Sequence, residues 1–190
     1  MSLDEYKRKR RFSDTPEPPP KVEKKSGHRF VVQKHRATRL HYDFRLEMEG
    51  VLKSWAVPKG PSMNPSDRRL AVMVPDHDLE YFDFEGIIPE GRYGAGPVVV
   101  WDTGAFIPLE TDDPETALTK GKLNFELNGK KLKGAFTLAQ MKALPKGTGK
   151  EWLLIKKKDT YAKDGYEITS ELTPARLAKL KKKVPPCETE

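Results

Sequence analysis

His35, His41 and Asp43 are three ligand-type side chains within one short stretch of chain. Two imidazoles and a carboxylate are a common set for a catalytic divalent metal. The stretch Leu40 to Met48 alternates with period 2, as a strand does. Tyr42, Phe44, Leu46 and Met48 fall on one face, and His41, Asp43, Arg45 and Glu47 on the other. His41 and Asp43 therefore point the same way and can converge on one ion. His35 reaches the same ion if the chain bends at Ala37-Thr38. Three protein ligands leave room for water and a substrate oxygen, which metal-assisted hydrolysis needs. Arg45 projects from the same face, and its planar fork suits a phosphate. A polar row of this kind is also the default solvated face of an antiparallel sheet. Against that reading, all four histidines, His28, His35, His41 and His77, lie between positions 28 and 77.

His77 follows Val74-Pro75-Asp76 at a strand end, where it is either an acid–base group or a turn residue. His28 precedes the first ordered strand and reads as incidental. Lys59, Arg68 and Arg69 could surround a phosphoryl group, although each alone reads as surface charge. The loop Pro89-Glu90-Gly91-Arg92-Tyr93-Gly94-Ala95-Gly96 lacks the spacing of a Walker A or dinucleotide loop and reads as a constrained turn.

The elements that must position these groups are mostly strands. Phe30–Gln33, Leu40–Met48, Val51–Val57, Leu70–Val74, Tyr81–Phe84, Val98–Trp101, Leu123–Leu127, Lys131–Leu138 and Trp152–Lys156 read as extended. Thr103-Gly104 and Asn128-Gly129 read as turns. Asp113-Pro114-Glu115 opens a short helix that ends before Gly121, and Thr173-Pro174 caps a basic one reaching Lys183. Short strands and frequent turns predict a mainly β fold, a closed or nearly closed antiparallel barrel with a few short helices. The expected organisation is a basic, Pro-rich arm over 1–27, the barrel over 28–170, and a basic helix and tail over 171–190.

Lys and Arg number 35 against 28 Asp and Glu, a net +7 that favours polyanionic partners without choosing among them. The lone cysteine, Cys187, excludes an intrachain disulfide and fits a reducing compartment. There is no apolar run of membrane-spanning length and no secretory leader, so the expected location is cytoplasmic.

Several strings go further. Arg29-Phe30-Val31-Val32-Gln33-Lys34-His35, Arg39-Leu40-His41-Tyr42-Asp43-Phe44-Arg45-Leu46 and Lys53-Ser54-Trp55-Ala56-Val57-Pro58-Lys59-Gly60-Pro61 run collinearly. Asp76-His77, Leu79-Glu80-Tyr81, Ile88-Pro89-Glu90-Gly91 and Tyr93-Gly94-Ala95-Gly96 follow them. With these strings the chain resembles the 3′-phosphoesterase domain of bacterial ligase D end-joining proteins and its free-standing relatives. The resemblance implies a compact β-barrel with a polar active-site pocket and a manganese ion; His₂Asp would also accept zinc or cobalt. It implies removal of a 3′-terminal ribonucleoside and then of the 3′-phosphate, leaving a 3′-hydroxyl for repair. On matching positions it makes His35, His41 and Asp43 the metal ligands and His77 a phosphate contact and candidate general acid. It places Arg45, Lys59, Arg69 and Tyr81 around the phosphate, with Arg10 and Glu17 contributed by the arm. Implied partners are DNA or RNA-ended DNA 3′ termini, with a ligase or polymerase acting in trans, and no membrane.

Arg11 and Pro75 stand where the family often has carboxylates, which bears on the balance of the two activities. Two other readings of the residues are a non-catalytic nucleic-acid-binding barrel and a small-metabolite metalloenzyme. The first predicts salt-sensitive binding without metal dependence. The second predicts full activity without residues 1–12.

Overall fold

A computed structural model describes residues 27–141, 147–183 and 185. Nine strands are ordered along the chain: β1 (Arg29–Arg36), β2 (Leu40–Met48), β3 (Val51–Val57), β4 (Arg68–His77), β5 (Gly86–Ile88), β6 (Gly96–Leu109), β7 (Lys122–Gly129), β8 (Lys133–Gln140) and β9 (Glu151–Lys156). All ladders between them are antiparallel. The order β1-β2-β3-β4-β9-β8-β7-β6 returns to β1 through a β1–β6 ladder, closing an eight-stranded barrel with β5 appended to β6. The mainly β antiparallel barrel expected from the sequence is the observed fold. Closure leaves no free edge among these eight strands, and therefore no unpaired row of backbone groups to protect.

Apolar alternation decides which side chains fill the barrel. Phe30, Tyr42, Phe44, Leu46, Trp55, Trp101, Phe106, Phe125, Phe136 and Trp152 form one buried cluster in its interior. Each such side chain is worth about 1.5–3 kcal/mol when taken out of water, so the aromatic row of β2 must face inward. His41, Asp43, Arg45 and Glu47 are thereby placed on the outer wall. That wall is not solvated: Asp43, Arg45 and Glu47 are buried. Residues 79–88 fold back over it, and Tyr81, Phe82, Phe84 and Ile88 pack with Val31, Leu52 and Val98 as a second apolar cluster. The solvated-face alternative therefore fails.

Four local expectations are corrected. Tyr81–Phe84 is not a strand. Leu79–Tyr81 is a 3-10 turn, with i→i−3 bonds from Tyr81, Phe82 and Phe84, and its aromatics serve as roof packing rather than as ladder residues. Thr103-Gly104 is not a turn, because β6 continues through it. Gly104 is there for close approach: a Cβ would lie 2.1 Å from the Asn128 carbonyl oxygen. Asn128-Gly129 remains in β7, and the hairpin turns at 130–132 instead. The buried Asp102 carboxylate organises that turn by accepting from the amides of Lys130, Lys131 and Leu132. The C-terminal helix stops at Lys179 rather than Lys183, with Leu180 extended.

Among the described residues the two α-helices are α1 (Pro114–Thr119), capped as expected by the Asp113 side chain on Thr116 N–H, and α2 (Pro174–Lys179), capped by Thr173. Leu118 of α1 joins the barrel core. Beyond α2 the chain lies against β5: Ile87 N–H donates to the Lys181 carbonyl and Lys183 N–H to the Ile87 carbonyl, at 2.9 and 3.0 Å. The Arg176 guanidinium of α2 bonds Glu85, Glu171 and the Val100 carbonyl. Residues 176–183 are thus fastened to the roof they border. Among the described residues no helix is long and apolar enough to cross a membrane.

Candidate metal and phosphate site

The β1–β2 hairpin sets His35 directly across from His41, and Gln33 across from Asp43. Cross-strand partners share a face, so a tight turn over residues 37–39 is enough to bring both imidazoles and the carboxylate together. The bend expected at Ala37-Thr38 is where the structure turns. One ligand atom from each of His35, His41 and Asp43 lies within 4.8 Å of the other two. His35 Nδ1 is 3.4 Å from one Asp43 oxygen, and His41 Nε2 is 3.5 Å from the other.

The remaining ring nitrogens fix the tautomers. His35 Nε2 lies 2.6 Å from the Gly94 carbonyl oxygen, and His41 Nδ1 lies 3.0 Å from that of Arg39. A carbonyl oxygen only accepts, so those two nitrogens carry the protons. The neutral rings then turn lone pairs, His35 Nδ1 and His41 Nε2, toward a carboxylate. Three electron-rich groups facing one another repel unless a cation stands between them, and backbone partners behind ring ligands are usual at metal sites. The donor set therefore fits a divalent ion. In place of a cation a proton can occupy the same gap: burial opposes charge on His41, but the Asp43 carboxylate outweighs burial and raises the imidazole above its ordinary value.

Asp43 stays ionised although buried. Burial pushes its carboxyl up, but the Arg45 guanidinium and the two imidazoles hold it well below the usual range. Arg45 Nη2 is 3.4 Å from Asp43 Oδ2. Arg45 is itself locked: Nε donates to Gln33 Oε1 and Nη1 to Ser54 Oγ, both at 2.8 Å. Gln33 passes the constraint on by donating to the Tyr81 and Phe84 carbonyls at 3.0 Å, which ties the roof to the wall. The Arg45 guanidinium also sits over the Tyr81 ring, 4.9 Å from its centre. Tyr81 meets His77 edge to face at 4.9 Å, and His77 Nδ1 contacts the Pro75 carbonyl at 2.8 Å. A continuous line runs from His77 through Tyr81 and Arg45 to Asp43, His35 and His41.

The other sequence-derived candidates are placed differently. Lys59 is exposed just beyond the end of β3. Arg69 pairs across β4–β9 with Leu154, a core residue, so it belongs to the inward row at the barrel end, where it binds Asp67 Oδ2 at 3.0 Å. Arg10 and Glu17 lie outside the described residues. Three functional groups escaped the sequence reading: Gln33, Ser54 and the Gly94 carbonyl. An amide closing the apolar run Phe30-Val31-Val32 is a signal that could have found Gln33. Nothing in sequence marks a carbonyl.

The row ends in a second buried carboxylate. Glu47 accepts from Arg29 Nε at 2.5 Å and from the Gly27 amide at 3.0 Å. Burial works to raise its pKa, but Arg29 and that amide bring it below the ordinary value. A lowered pKa adds stability above the unfolded glutamate value, and the gain is lost as pH falls through the folded one. Glu47→Gln is expected to cost about 1–2 kcal/mol at pH 7, since Arg29 is half in solvent. Urea titrations should show the gap to wild type closing as the pH is brought below the unfolded value.

The sequence profile of the DNA ligase D 3′-phosphoesterase domain matches residues 33–140, more than half the chain. The chain belongs to that family. A multifunctional non-homologous end joining protein LigD of Pseudomonas aeruginosa is 52% identical over 174 residues, 89% of this chain and 20% of that protein. The protein of the same name from Mycolicibacterium smegmatis is 44% identical over 165 residues, 83% and 21% of the two chains. That of Mycobacterium bovis is 45% identical over 154 residues, 80% and 19%. The chain thus spans about a fifth of the length of these relatives. The ligase D phosphoesterase match begins at Gln33 and takes in His35, His41, Asp43, Arg45, His77, Tyr81 and the Gly94 loop.

Proposed function

We propose that this phosphoesterase-family domain heals nucleic-acid 3′ ends in end-joining DNA repair. It removes a 3′-terminal ribonucleoside and then the remaining 3′-phosphate, leaving a 3′-hydroxyl for a ligase or polymerase. The observation that carries the reading is the pair of oriented imidazole lone pairs converging on a charge-locked Asp43. His35, His41 and Asp43 would hold manganese, and zinc or cobalt would suit the same donors. Such an ion withdraws charge from phosphorus when a phosphate oxygen is bound to it.

The chain's own groups do the rest. Gly94 and Arg39 hold the two rings at fixed tautomers. Arg45 keeps Asp43 anionic and presents positive charge at the edge of the cluster, while Lys59 offers a second cation from the exposed side. His77, with Nδ1 committed to the Pro75 carbonyl, exchanges a proton at Nε2 and gives it to the departing oxygen as water attacks in line. Tyr81 contacts both the His77 ring and the Arg45 guanidinium and so links their positions. Arg10 and Glu17 would complete the phosphate contacts from the arm. Arg69, turned inward, is assigned to holding the end of β4 rather than to the phosphate.

The test is an end-labelled primer–template carrying a 3′-phosphate. Turnover should vanish with chelator and return on adding manganese. Salt-sensitive binding of the strand with no metal-dependent turnover would instead identify a non-catalytic nucleic-acid-binding barrel.

A further inference from the structure

The loop between β5 and β6 has a task beyond orienting His35. It is clamped to the tip of the β1–β2 hairpin at two glycines. A Cβ on Gly94 would stand 3.1 Å from His35 Cε1, and one on Gly96 would stand 2.1 Å from the Arg36 carbonyl oxygen. Both have positive φ, +76° and +134°. Between the strands, the Arg92 amide bonds the Pro89 carbonyl and the Ala95 amide that of Arg92. The loop backbone is therefore held against the metal-ligand hairpin.

Tyr93 sits on this loop, one residue before Gly94, and is 88% exposed, the most exposed of the large apolar residues described. A scattered exposed aromatic needs no explanation by itself. This one has its main chain fixed one residue from the carbonyl that orients a site ligand, while its ring is left in water. Arg36 and Arg39, also exposed, stand on the hairpin tip against which the loop is clamped. An exposed ring on a loop clamped to a hairpin tip that carries two exposed arginines, one residue from the carbonyl that orients a candidate ligand, suits stacking on a base while the cations meet the strand's backbone phosphates.

We propose that Tyr93 is the stacking platform for the base of the nucleoside that carries the scissile 3′-phosphate, with Arg36 and Arg39 holding the upstream backbone. The proposal rests on the end-healing reading above and adds how the strand end is gripped. Stacking tolerates any base, because every base offers a π face, so the platform selects a nucleoside end over free phosphate or a small phosphate ester without selecting sequence.

The experiment uses the full chain and a primer–template whose 3′-phosphate-bearing residue is 2-aminopurine. Binding to wild type should quench the fluorescence of that base, and Tyr93→Ala should abolish the quench and weaken binding about 5- to 100-fold. Tyr93→Phe and Tyr93→Trp should retain both. A strand with an abasic residue at that position should bind wild type and Tyr93→Ala equally. Undiminished quenching in Tyr93→Ala, or an equal loss on the abasic strand, overturns the proposal. Because binding is read directly, the two ideas separate. Quenching by a wild-type protein that never hydrolyses the end sinks the hydrolase reading alone. Metal-dependent hydrolysis with no quench sinks the platform alone.

Discussion

Asp43→Asn should lower metal-dependent turnover of a 3′-phosphate end by about a thousandfold, the equivalent of several kcal/mol of transition-state charge stabilisation. The amide keeps the shape of the side chain but not its charge, and one of its two ends is a donor. It can still meet the Arg45 guanidinium through its oxygen in the Oδ2 place, while its nitrogen in the Oδ1 place faces the His41 Nε2 lone pair, where Asp43 now stands 3.5 Å away. Donation to a ring nitrogen relieves the repulsion that a cation otherwise relieves. The variant should therefore stay folded and bind manganese far more weakly. Calorimetric metal titration beside circular dichroism separates these effects. Unchanged turnover in a folded Asp43→Asn protein would falsify the metal assignment.

The largest effect on stability is expected at Arg45. Its side chain is 2% exposed and serves Asp43, Gln33, Ser54 and the Tyr81 ring together. Arg45→Met fills similar space but leaves a buried carboxylate without its counter-charge and the Gln33 oxygen without its donor. Breaking a buried pair from one side costs about 3–5 kcal/mol. For a chain of this size the melting temperature should fall by roughly 10 °C or more. The Asp43 carboxyl should then titrate higher, because the positive neighbour that outweighed its burial is gone. Added manganese should return part of the lost melting temperature in this variant and none in Arg45→Met combined with Asp43→Asn. Thermal melts with and without the ion check both statements. A fall that manganese leaves untouched would mean that Arg45 supports the roof and not the ligand carboxylate.

The site was legible where chemistry followed backbone period. His41 and Asp43 share a face because a strand repeats every two residues, and His35 joins them because a hairpin makes sequence-distant residues opposite neighbours. What alternation could not tell was the surroundings of that face. A polar row reads as solvated, yet here Tyr81, Phe82 and Phe84 cover it, and an aromatic run looks the same in sequence whether it joins a ladder or packs on one. The supporting residues were hidden for a related reason. Gln33 and Ser54 act through hydrogen bonds to Arg45, and Gln33 also to Tyr81 and Phe84, partners that lie outside their own stretch of chain, and such pairings have no local signature. The fold class was easier, since many short extended runs leave few alternatives to a barrel. Turn positions failed where a glycine or an Asn-Gly pair met a tertiary demand: Gly104 permits strands to touch, and Asp102 draws the hairpin bend past Gly129.

The covering of the outer wall by residues 79–88 has a consequence for how such a domain can change. The hydrocarbon-filled cylinder and the reactive groups share strands but occupy opposite sides of them, so mutations that retune one need not disturb the other. A short stretch of chain, fastened by Gln33 beneath and by Arg176 through Glu85, lies over Arg45 beside the ligands. Exchanging that stretch between relatives should change the surroundings of Arg45 and His77 while leaving the scaffold's melting behaviour nearly as it was.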